Sequence, residues 1–353
     1  DGDVGSWVRM EAMRGVAAVA EAVAAGASHG AAFPNSAWNE AVAGRAVARI
    51  ARQALEKIDR VRELATATLF RIVAMDVPCM VWADEFASGV ALAGEDASFG
   101  VLVPLLLGEP TLCREAMSGL VVSVGDLAQS VAHEASRALL GMARGSDSAA
   151  QRVVELLLAT LRGHSGDSRV VVPTLKTLDA LFAAGVMETQ ASAAGELLGA
   201  VQTELRGSRD VHKLMAGAKV LGSMLMYGRQ VAVGALKVLL SFLAHPYAKL
   251  RKHTADELYL ALNTYEDHMP DDEDEADDLL DLLSDFAWDG DRSAAAAARD
   301  PLFEGLGVPK PAPRKVTGGG KAKASSGQAG AAGASAGAAP TGGYADLVRS
   351  AGM

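Results

Sequence analysis

The 353-residue sequence predicts an all-α fold in which helices stack in a repeated array. Apolar residues recur at spacings of three and four along most of the chain, and this spacing places them on one face of a helix. Three prolines, Pro110, Pro173 and Pro246, each open such a stretch. Proline is tolerated in a first helical turn because the N–H that it lacks would be unpaired there. Start signals repeated on successive helices predict an array, an architecture that usually binds other proteins.

The composition suits helices that pack closely through small side chains. Half of the residues are hydrophobic and only 5% are aromatic. The longest apolar runs are too short to span a bilayer, and the N-terminus lacks the basic and apolar segments of a signal peptide. Because the first residue is Asp1 and not Met, we expect a fragment or a processed product. The two cysteines, Cys79 and Cys113, indicate reduced thiols of a cytosolic protein and not a disulfide framework.

The acidic charge is concentrated in one segment. The formal net charge is −10, yet residues 266–292 alone contain thirteen acidic residues and one basic residue, Arg292. The remainder of the chain therefore sums to +2. From Lys310 onward the sign reverses, with six basic residues against the single acid Asp346. This distribution argues against broad nucleic-acid binding by the folded part.

The predicted elements follow in order along the chain. Residues 4–25 predict a first helix, and after a break at 26–36 the helical pattern resumes and extends to Met75. The pattern is lost over 76–100, so we expect a loop or insertion at 76–107. From Pro110 onward the sequence predicts helices over 110–122, 125–143, 149–162, 173–184, 194–206, 209–227, 230–244, 246–265 and 276–288.

A signature recurs along these predicted helices. An apolar residue is followed by Arg and then by a small residue three positions later, at Val8–Ala12, Val61–Ala65 and Leu250–Thr254. This is the pattern of the second helix of HEAT-type repeats, in which the small residue permits close packing. The Arg, with an upstream acid such as Asp3 or Asp59, would link adjacent repeats. The spacings from Lys176 to Lys213 and from Lys213 to Arg251 are 37 and 38 residues, close to the HEAT period of about 40.

The sequence therefore predicts a HEAT/armadillo-type helical repeat superhelix with a disordered C-terminal tail. HEAT-like repeats would occupy 1–75 and a second helical repeat domain 108–308, on either side of the expected insertion. The Gly/Ala/Lys-rich tail at 309–353 cannot bury enough apolar surface to offset chain entropy, so we expect disorder there. Two alternatives stay open: an irregular helical bundle, and short strands at the valine runs 121–122 and 170–172.

No arrangement of residues predicts catalysis, a metal or a bound cofactor. None of the seven histidines has a partner histidine four residues away, and none lies beside a cysteine. The run Gly318–Lys321 resembles a phosphate-binding loop, but Lys315 stands where the motif needs glycine. The stretch Asp289–Asp300 has acids at three calcium-loop positions but has Ala294 where the sharp turn needs glycine.

The candidate functional surface is electrostatic. It joins one end of the predicted helix 246–265 to the acidic segment that follows, and its residues are Arg251, Lys252, Asp271, Asp272, Glu273, Asp274 and Glu275. The acids would contact a basic surface of a partner protein. In the alternative interpretation, the same residues cap helices, complement the helix dipole and bridge repeats.

Eight short stretches carry a resemblance to a known family. They are Asp3–Arg9, Glu56–Arg60, Gly108–Thr111, Leu120–Leu127, Val172–Asp179, Ser208–Leu214, Leu283–Asp289 and Leu306–Pro311. In this order they resemble the C-terminal region of tubulin-folding cofactor D, and they cover roughly residues 1–311.

The resemblance implies a HEAT/armadillo-type superhelix and a tubulin chaperone that assembles and disassembles the αβ-tubulin heterodimer and organises microtubules. It implies binding to β-tubulin and action with tubulin cofactors E and C and an Arf-like small GTPase. The implied role is a non-catalytic scaffold that contributes to the activation of GTP hydrolysis by tubulin, without a cofactor, nucleic acid or membrane insertion. The implied location is the cytoplasm and the microtubule cytoskeleton, including the centrosome or basal body.

The sequence also departs from the family. The segment 76–100 keeps little of the family pattern beyond Pro78, and the acidic run and the tail do not follow it. The long N-terminal HEAT region of the family does not precede these stretches here. A different HEAT-type adaptor, such as a transport or phosphatase scaffold, is the first alternative, and an enzyme with a site between helices is the second.

Overall fold

The computed structural model describes residues 4–29, 38–75, 77–78, 80–125 and 129–310. Within these ranges every regular element is helical, with sixteen α-helices and four short 3₁₀-helices. The all-α prediction is therefore confirmed, and the valine runs at 121–122 and 170–172 lie in helices. The tail from residue 311, which the sequence predicts to be disordered, lies outside the described residues.

The α-helices are numbered in chain order. They are α1 (Val4–Ser28), α2 (Glu40–Ala54), α3 (Asp59–Ala74), α4 (Asp84–Ala93), α5 (Phe99–Gly108), α6 (Cys113–Val124), α7 (Gln129–Ala143), α8 (Asp147–Gly163), α9 (Ser168–Ala183), α10 (Ala194–Leu205), α11 (Val211–Ser223), α12 (Arg229–Phe242), α13 (Ala248–Thr264), α14 (Glu273–Asp285), α15 (Arg292–Ala298) and α16 (Asp300–Gly305). The 3₁₀-helices lie at Val186–Thr189, Ala191–Ala193, Met224–Met226 and Glu266–His268.

The helices form two rows. In one row α2, α6, α9, α11 and α13 follow each other, and each packs against the next. In the other row α7, α8, α10 and α12 do the same. Short connections join the two rows. Helix α8 packs against the next helix, α9, and in the same way α10 packs against α11 and α12 against α13. This arrangement of stacked helical hairpins confirms the predicted helical repeat.

Side-chain caps begin many of these helices. A carboxylate, amide or hydroxyl oxygen just before the helix accepts a hydrogen bond from a backbone N–H of the first turn, which otherwise has no partner within the helix. The capping residues are Asn39, Ser146, Asp167, Asp210, Asp272 and Asp291. The helix starts are thus encoded locally, in polar residues that the chain places at the turns.

An apolar stripe at spacings of three and four residues, between residues 50 and 72, lies in the core. Its buried members are Ile50, Ala54, Val61, Ala65, Leu69 and Ile72. Ile58 is half-buried in the turn before α3. Complete burial of a large aliphatic side chain stabilises the fold by about 1.5–3 kcal/mol, so this stripe holds α2 and α3 together and against α1 and α6.

The prediction of a loop at 76–107 is wrong, because this range contains α4 and nearly all of α5. Phe86 of α4 is buried, as are Phe99, Leu102 and Leu106 of α5. Helix α5 is apolar on almost every side and packs against α4, α6 and α7. It therefore lacks the one-sided periodicity that identifies a surface helix. Pro104 lies inside the helix, and because proline disfavours a helix interior, it argued against a helix in the sequence.

The opening role expected of the three prolines is correct for two of them. Pro110 and Pro246 lie in the turns just before α6 and α13. Pro173 lies inside α9, whose N-cap is Asp167. The helix begins earlier than its proline because the Asp167 side chain accepts a hydrogen bond from Arg169 N, at 3.0 Å, and because Val170 and Val171 are buried.

Hydrogen bonds between successive hairpins repeat at the predicted period. Arg144 Nη2 donates to Ala184 O, 40 residues later, at 2.9 Å. The phenol of Tyr227 donates to Met187 O, 40 residues earlier, at the same distance. Burial, with a smaller contribution from Tyr265, raises the pKa of Tyr227 to about 12, so its hydroxyl keeps the proton it donates. These separations match the HEAT period of about 40 residues.

The arginines of the recurring signature make contacts other than the predicted pairs with aspartates of adjacent repeats. Two of the signature's small residues, Ala65 and Thr254, are fully buried, in keeping with close packing, whereas the third, Ala12, is exposed. Arg62 pairs with Asp59 on its own helix, at 2.7 Å, and its Nε donates to Ala97 O at 3.3 Å. Asp3 lies outside the described residues. For Arg62 and Arg251, the links to other elements therefore run to backbone carbonyls.

Candidate partner-binding surface

Arg251 is buried, and its guanidinium is occupied by the chain itself. Only 2% of the residue is exposed. Its Nε donates to Trp288 O at 2.7 Å, its Nη1 to His245 O at 2.8 Å, and its Nη2 to Gly290 O. These bonds tie the start of α13 to the turn before it and to the segment after α14. The expectation that Arg251 contacts a partner is therefore corrected: it is a structural residue.

The surroundings of Arg251 also determine the charge of His245. This ring lies 4.8 Å from the ring of Tyr247, and its Nδ1 accepts a hydrogen bond from Tyr247 N at 3.2 Å. Burial, followed by the positive charges of Arg292 and Arg251, lowers the pKa of His245 below its ordinary value. His245 is therefore neutral at pH 7, and it contributes no positive charge to this end of α13.

Lys252, unlike its neighbour, is exposed. Its Nζ lies 2.9 Å from Asp256 Oδ1, one turn further along α13, and both side chains are about half exposed. An exposed pair at this spacing contributes about 0.3–0.5 kcal/mol. Lys252 can therefore exchange Asp256 for an acid of a partner at little cost.

The acidic residues are exposed and also begin a helix. Asp271 to Glu275 are all exposed. Asp272 is the N-cap of α14 and accepts a hydrogen bond from Glu275 N at 3.1 Å. Glu273 and Asp274 occupy the first turn, where negative charge complements the positive end of the helix dipole. The capping interpretation is thus confirmed for Asp272, and the carboxylates around it still face solvent.

The structure does not bring the two halves of the predicted surface together. Arg251 binds backbone beyond the C-terminal end of α14, whereas the acidic run lies at its N-terminal end. Helix α14 has 13 residues, and its length at 1.5 Å per residue is about 20 Å. The base at 252 and the acids at 271–275 are therefore separate sites.

A family model described as "Tubulin folding cofactor D C terminal" matches residues 44–213. This match contains four of the eight resembling stretches, from Glu56–Arg60 to Val172–Asp179, and most of a fifth, Ser208–Leu214. Residues 44–213 are therefore similar to the C-terminal domain of tubulin folding cofactor D. The cofactor D match spans α2 to the start of α11, so both halves of the predicted surface lie beyond it.

A comparison with solved structures adds little to the cofactor D match. The crystal structure of an engineered protein from a structural genomics consortium is 16% identical in sequence. The match covers 76% of this chain and 71% of that chain, with a TM-score of 0.33. A score of this size does not establish a shared fold.

A buried ion pair lies at the C-terminal end of the matched cofactor D segment, and the repeat spacing indicated only one of its two residues. Lys213 Nζ lies 3.1 Å from Glu204 Oε2, with side chains 7% and 4% exposed. Gly166 N, in the turn between α8 and α9, donates to the same oxygen at 3.2 Å. Burial alone would raise the pKa of Glu204, but hydrogen bonds from Ser165, Gly166 and Lys213 hold it below its ordinary value. Lys213 belongs to the predicted repeat register, but nothing in that spacing indicated its buried partner.

In the described part of the chain, no three His, Cys, Asp or Glu side chains converge as metal ligands. No helix in that part is both long and apolar enough to cross a membrane.

Proposed function

We propose that the chain is a tubulin chaperone scaffold that binds β-tubulin. The observation that carries this proposal is the cofactor D match over residues 44–213, which supports a tubulin-folding role of the cofactor D type. The two rows of helices support it, because a stacked array presents a long surface to a protein partner.

In this role the chain acts with other proteins. It works with tubulin cofactors E and C and an Arf-like small GTPase in assembling and disassembling the αβ-tubulin heterodimer. GTP is hydrolysed by tubulin, and the chain contributes to activating that hydrolysis without a catalytic site of its own. Its place is the cytoplasm and the microtubule cytoskeleton, including the centrosome or basal body.

Co-purification from a cell extract separates this proposal from its alternatives. The full chain is expected to retain β-tubulin and cofactor E on an affinity resin. Retention of transport or phosphatase components without tubulin would instead support a different HEAT-type adaptor. A GTPase assay of the chain with and without tubulin tests the enzymatic alternative, and turnover without tubulin would contradict a scaffold role.

The acidic run at the start of α14 is the proposed electrostatic contact for a basic region of a partner. Its residues Asp271, Glu273, Asp274 and Glu275 are exposed, and Lys252 forms a separate, basic site on α13. Asp272 is left out of the test because it caps the helix.

Charge reversal at this run is expected to weaken capture of tubulin or cofactors. The variant Asp271→Lys/Asp274→Lys removes two attractions and adds two repulsions, and the loss is expected to be larger at low salt. The control, Asp281→Lys/Asp285→Lys, makes the same change in net charge toward the other end of α14, where both acids are also exposed. Equal capture by the first variant and the unchanged chain would remove this surface from the proposal.

A further inference from the structure

A groove runs between α1 and α2, at the opposite end of the chain from the acidic run. Its volume is about 540 Å³, and part of its wall belongs to the cofactor D match. The floor is apolar and is formed by Ala12, Met13, Val16, Ala46 and Ile50. A shallow cleft continues from it across α2 toward α6 and shares Ala46 and Arg49 with the groove.

Arginines of α2 line this groove and the adjoining cleft at helical spacing. Arg45, Arg49 and Arg52 follow each other at intervals of four and three residues on α2, which places them on one face. The side chain of Arg49 is 74% exposed, and Arg45 is exposed beside it. Arg52 is partly covered, with 28% of its side chain exposed.

Arg49 and Arg52 share one carboxylate, that of Glu115, and neither is hydrogen-bonded to it. Arg49 Nε lies 3.9 Å from Glu115 Oε1, and Arg52 Nη1 lies 3.7 Å from Glu115 Oε2. Both distances exceed those of a hydrogen bond. Within the described residues Arg45 has no hydrogen bond or ion pair. A guanidinium has five N–H donors in a planar fork that suits carboxylates, so the row retains donors for a further acid.

The groove and its extension carry a net positive charge. Arg45, Arg49 and Arg52 line them together with two acids, Glu56 and Glu115. The Gln53 side chain also lines the groove, and its Oε1 is buried without a hydrogen-bond partner among the described residues. A buried amide oxygen in this state favours a ligand that brings an N–H donor, such as a peptide backbone.

We infer that this groove, the α1–α2 groove, binds an acidic peptide segment of a partner protein. Carboxylates of the segment pair with Arg45 and Arg49, an aliphatic side chain packs on the floor at Met13 and Ile50, and a backbone N–H donates to Gln53. The apolar floor and the two glutamates favour a peptide over a nucleic acid, whose dense phosphate charge they do not match. The inference does not rest on the partner being tubulin.

Fluorescence anisotropy of a labelled peptide tests the groove on the full chain. The probe is a short fluorescein-labelled peptide in which glutamates flank a leucine. The variant Arg45→Glu/Arg49→Glu is expected to bind it about tenfold more weakly than the unchanged chain at low salt, because two attractions become repulsions. A peptide with glutamine in place of glutamate is expected to show the same loss with the unchanged chain.

The matched control is Arg206→Glu/Arg209→Glu, which makes the same charge change at two exposed arginines in the turn after α10. It is expected to bind the probe as the unchanged chain does, and thermal unfolding monitored by circular dichroism checks that both variants are folded. If the first variant does not fold, Arg45→Gln/Arg49→Gln replaces it, because it removes charge without adding any.

Three results would overturn the inference: no loss in the groove variant, an equal loss in the control, or tighter binding of a single-stranded RNA than of the peptide. Since the assay contains no tubulin, its failure is distinct from a failure of the chain to capture tubulin.

Discussion

Two adjacent residues, Arg251 and Lys252, show how position on a helix decides what a charge does. Arg251 donates to three backbone carbonyls and is buried, whereas Lys252 makes one exposed pair with Asp256. A sequence signal for this difference exists. Leu250, Thr254 and Leu258 are spaced at four residues and are buried, so Arg251 lies beside a buried stripe and Lys252 points away from it.

Arg251→Met is expected to destabilise the protein by about 3 kcal/mol, because it leaves buried carbonyl groups without donors. Lys252→Met is the matched control and is expected to change the free energy of unfolding by less than about 0.5 kcal/mol. Urea unfolding of both variants gives the comparison. Equal stability of the two variants would show that the hydrogen bonds of Arg251 contribute no more than the exposed pair of Lys252.

At the scale of the element, local pattern predicted the helices that have one apolar and one polar face, and it missed α5, whose exposed face carries no polar side chain. Helix α3 has a one-sided stripe, from Val61 to Ile72, and the sequence predicts it directly. Helix α5 has no polar face to indicate which side is buried, because its exposed positions are Gly100, Pro104 and Gly108. Its buried side chains pack against α4, α6 and α7, and the spacing of apolar residues along the sequence does not show these contacts. The start of α9 at Asp167 was likewise obscured by Pro173, five residues into the helix.

Close packing between α2 and α6 depends on Gly119. A Cβ at this position would lie 2.2 Å from the backbone carbonyl oxygen of Arg52 on α2, a contact that only movement of one helix can relieve. Gly119→Ala is therefore expected to destabilise the protein by about 3 kcal/mol, as overpacked cores do.

Gly141→Ala on α7 is the control for Gly119→Ala. A Cβ at Gly141 meets nothing within 4 Å, so the helix propensity of alanine is expected to stabilise this variant by up to about 1 kcal/mol. Thermal unfolding measures both variants. A neutral Gly119→Ala variant would mean that α2 and α6 are not held as closely as the structure shows.

At the scale of the whole molecule, the repeat period was the property that sequence predicted best. The spacings of 37 and 38 residues between Lys176, Lys213 and Arg251 anticipated the hydrogen bonds between successive hairpins. Separation in space was not predictable in the same way. Arg251 and Asp271 are close in sequence, but the antiparallel packing of α13 and α14 places them at opposite ends of a helix. The arginine row of α2 was present in the sequence at intervals of four and three, and its distance in the chain from the acidic run left it outside the predicted surface.

The claim that this array binds tubulin is tested most directly by size-exclusion chromatography of the purified full chain with purified αβ-tubulin. The expected result is that the chain co-elutes with β-tubulin, ahead of either component alone, as a scaffold of the cofactor D type should. Circular dichroism of the same sample confirms that the chain is helical. Separate elution of the folded chain and tubulin at every mixing ratio would contradict the proposed function.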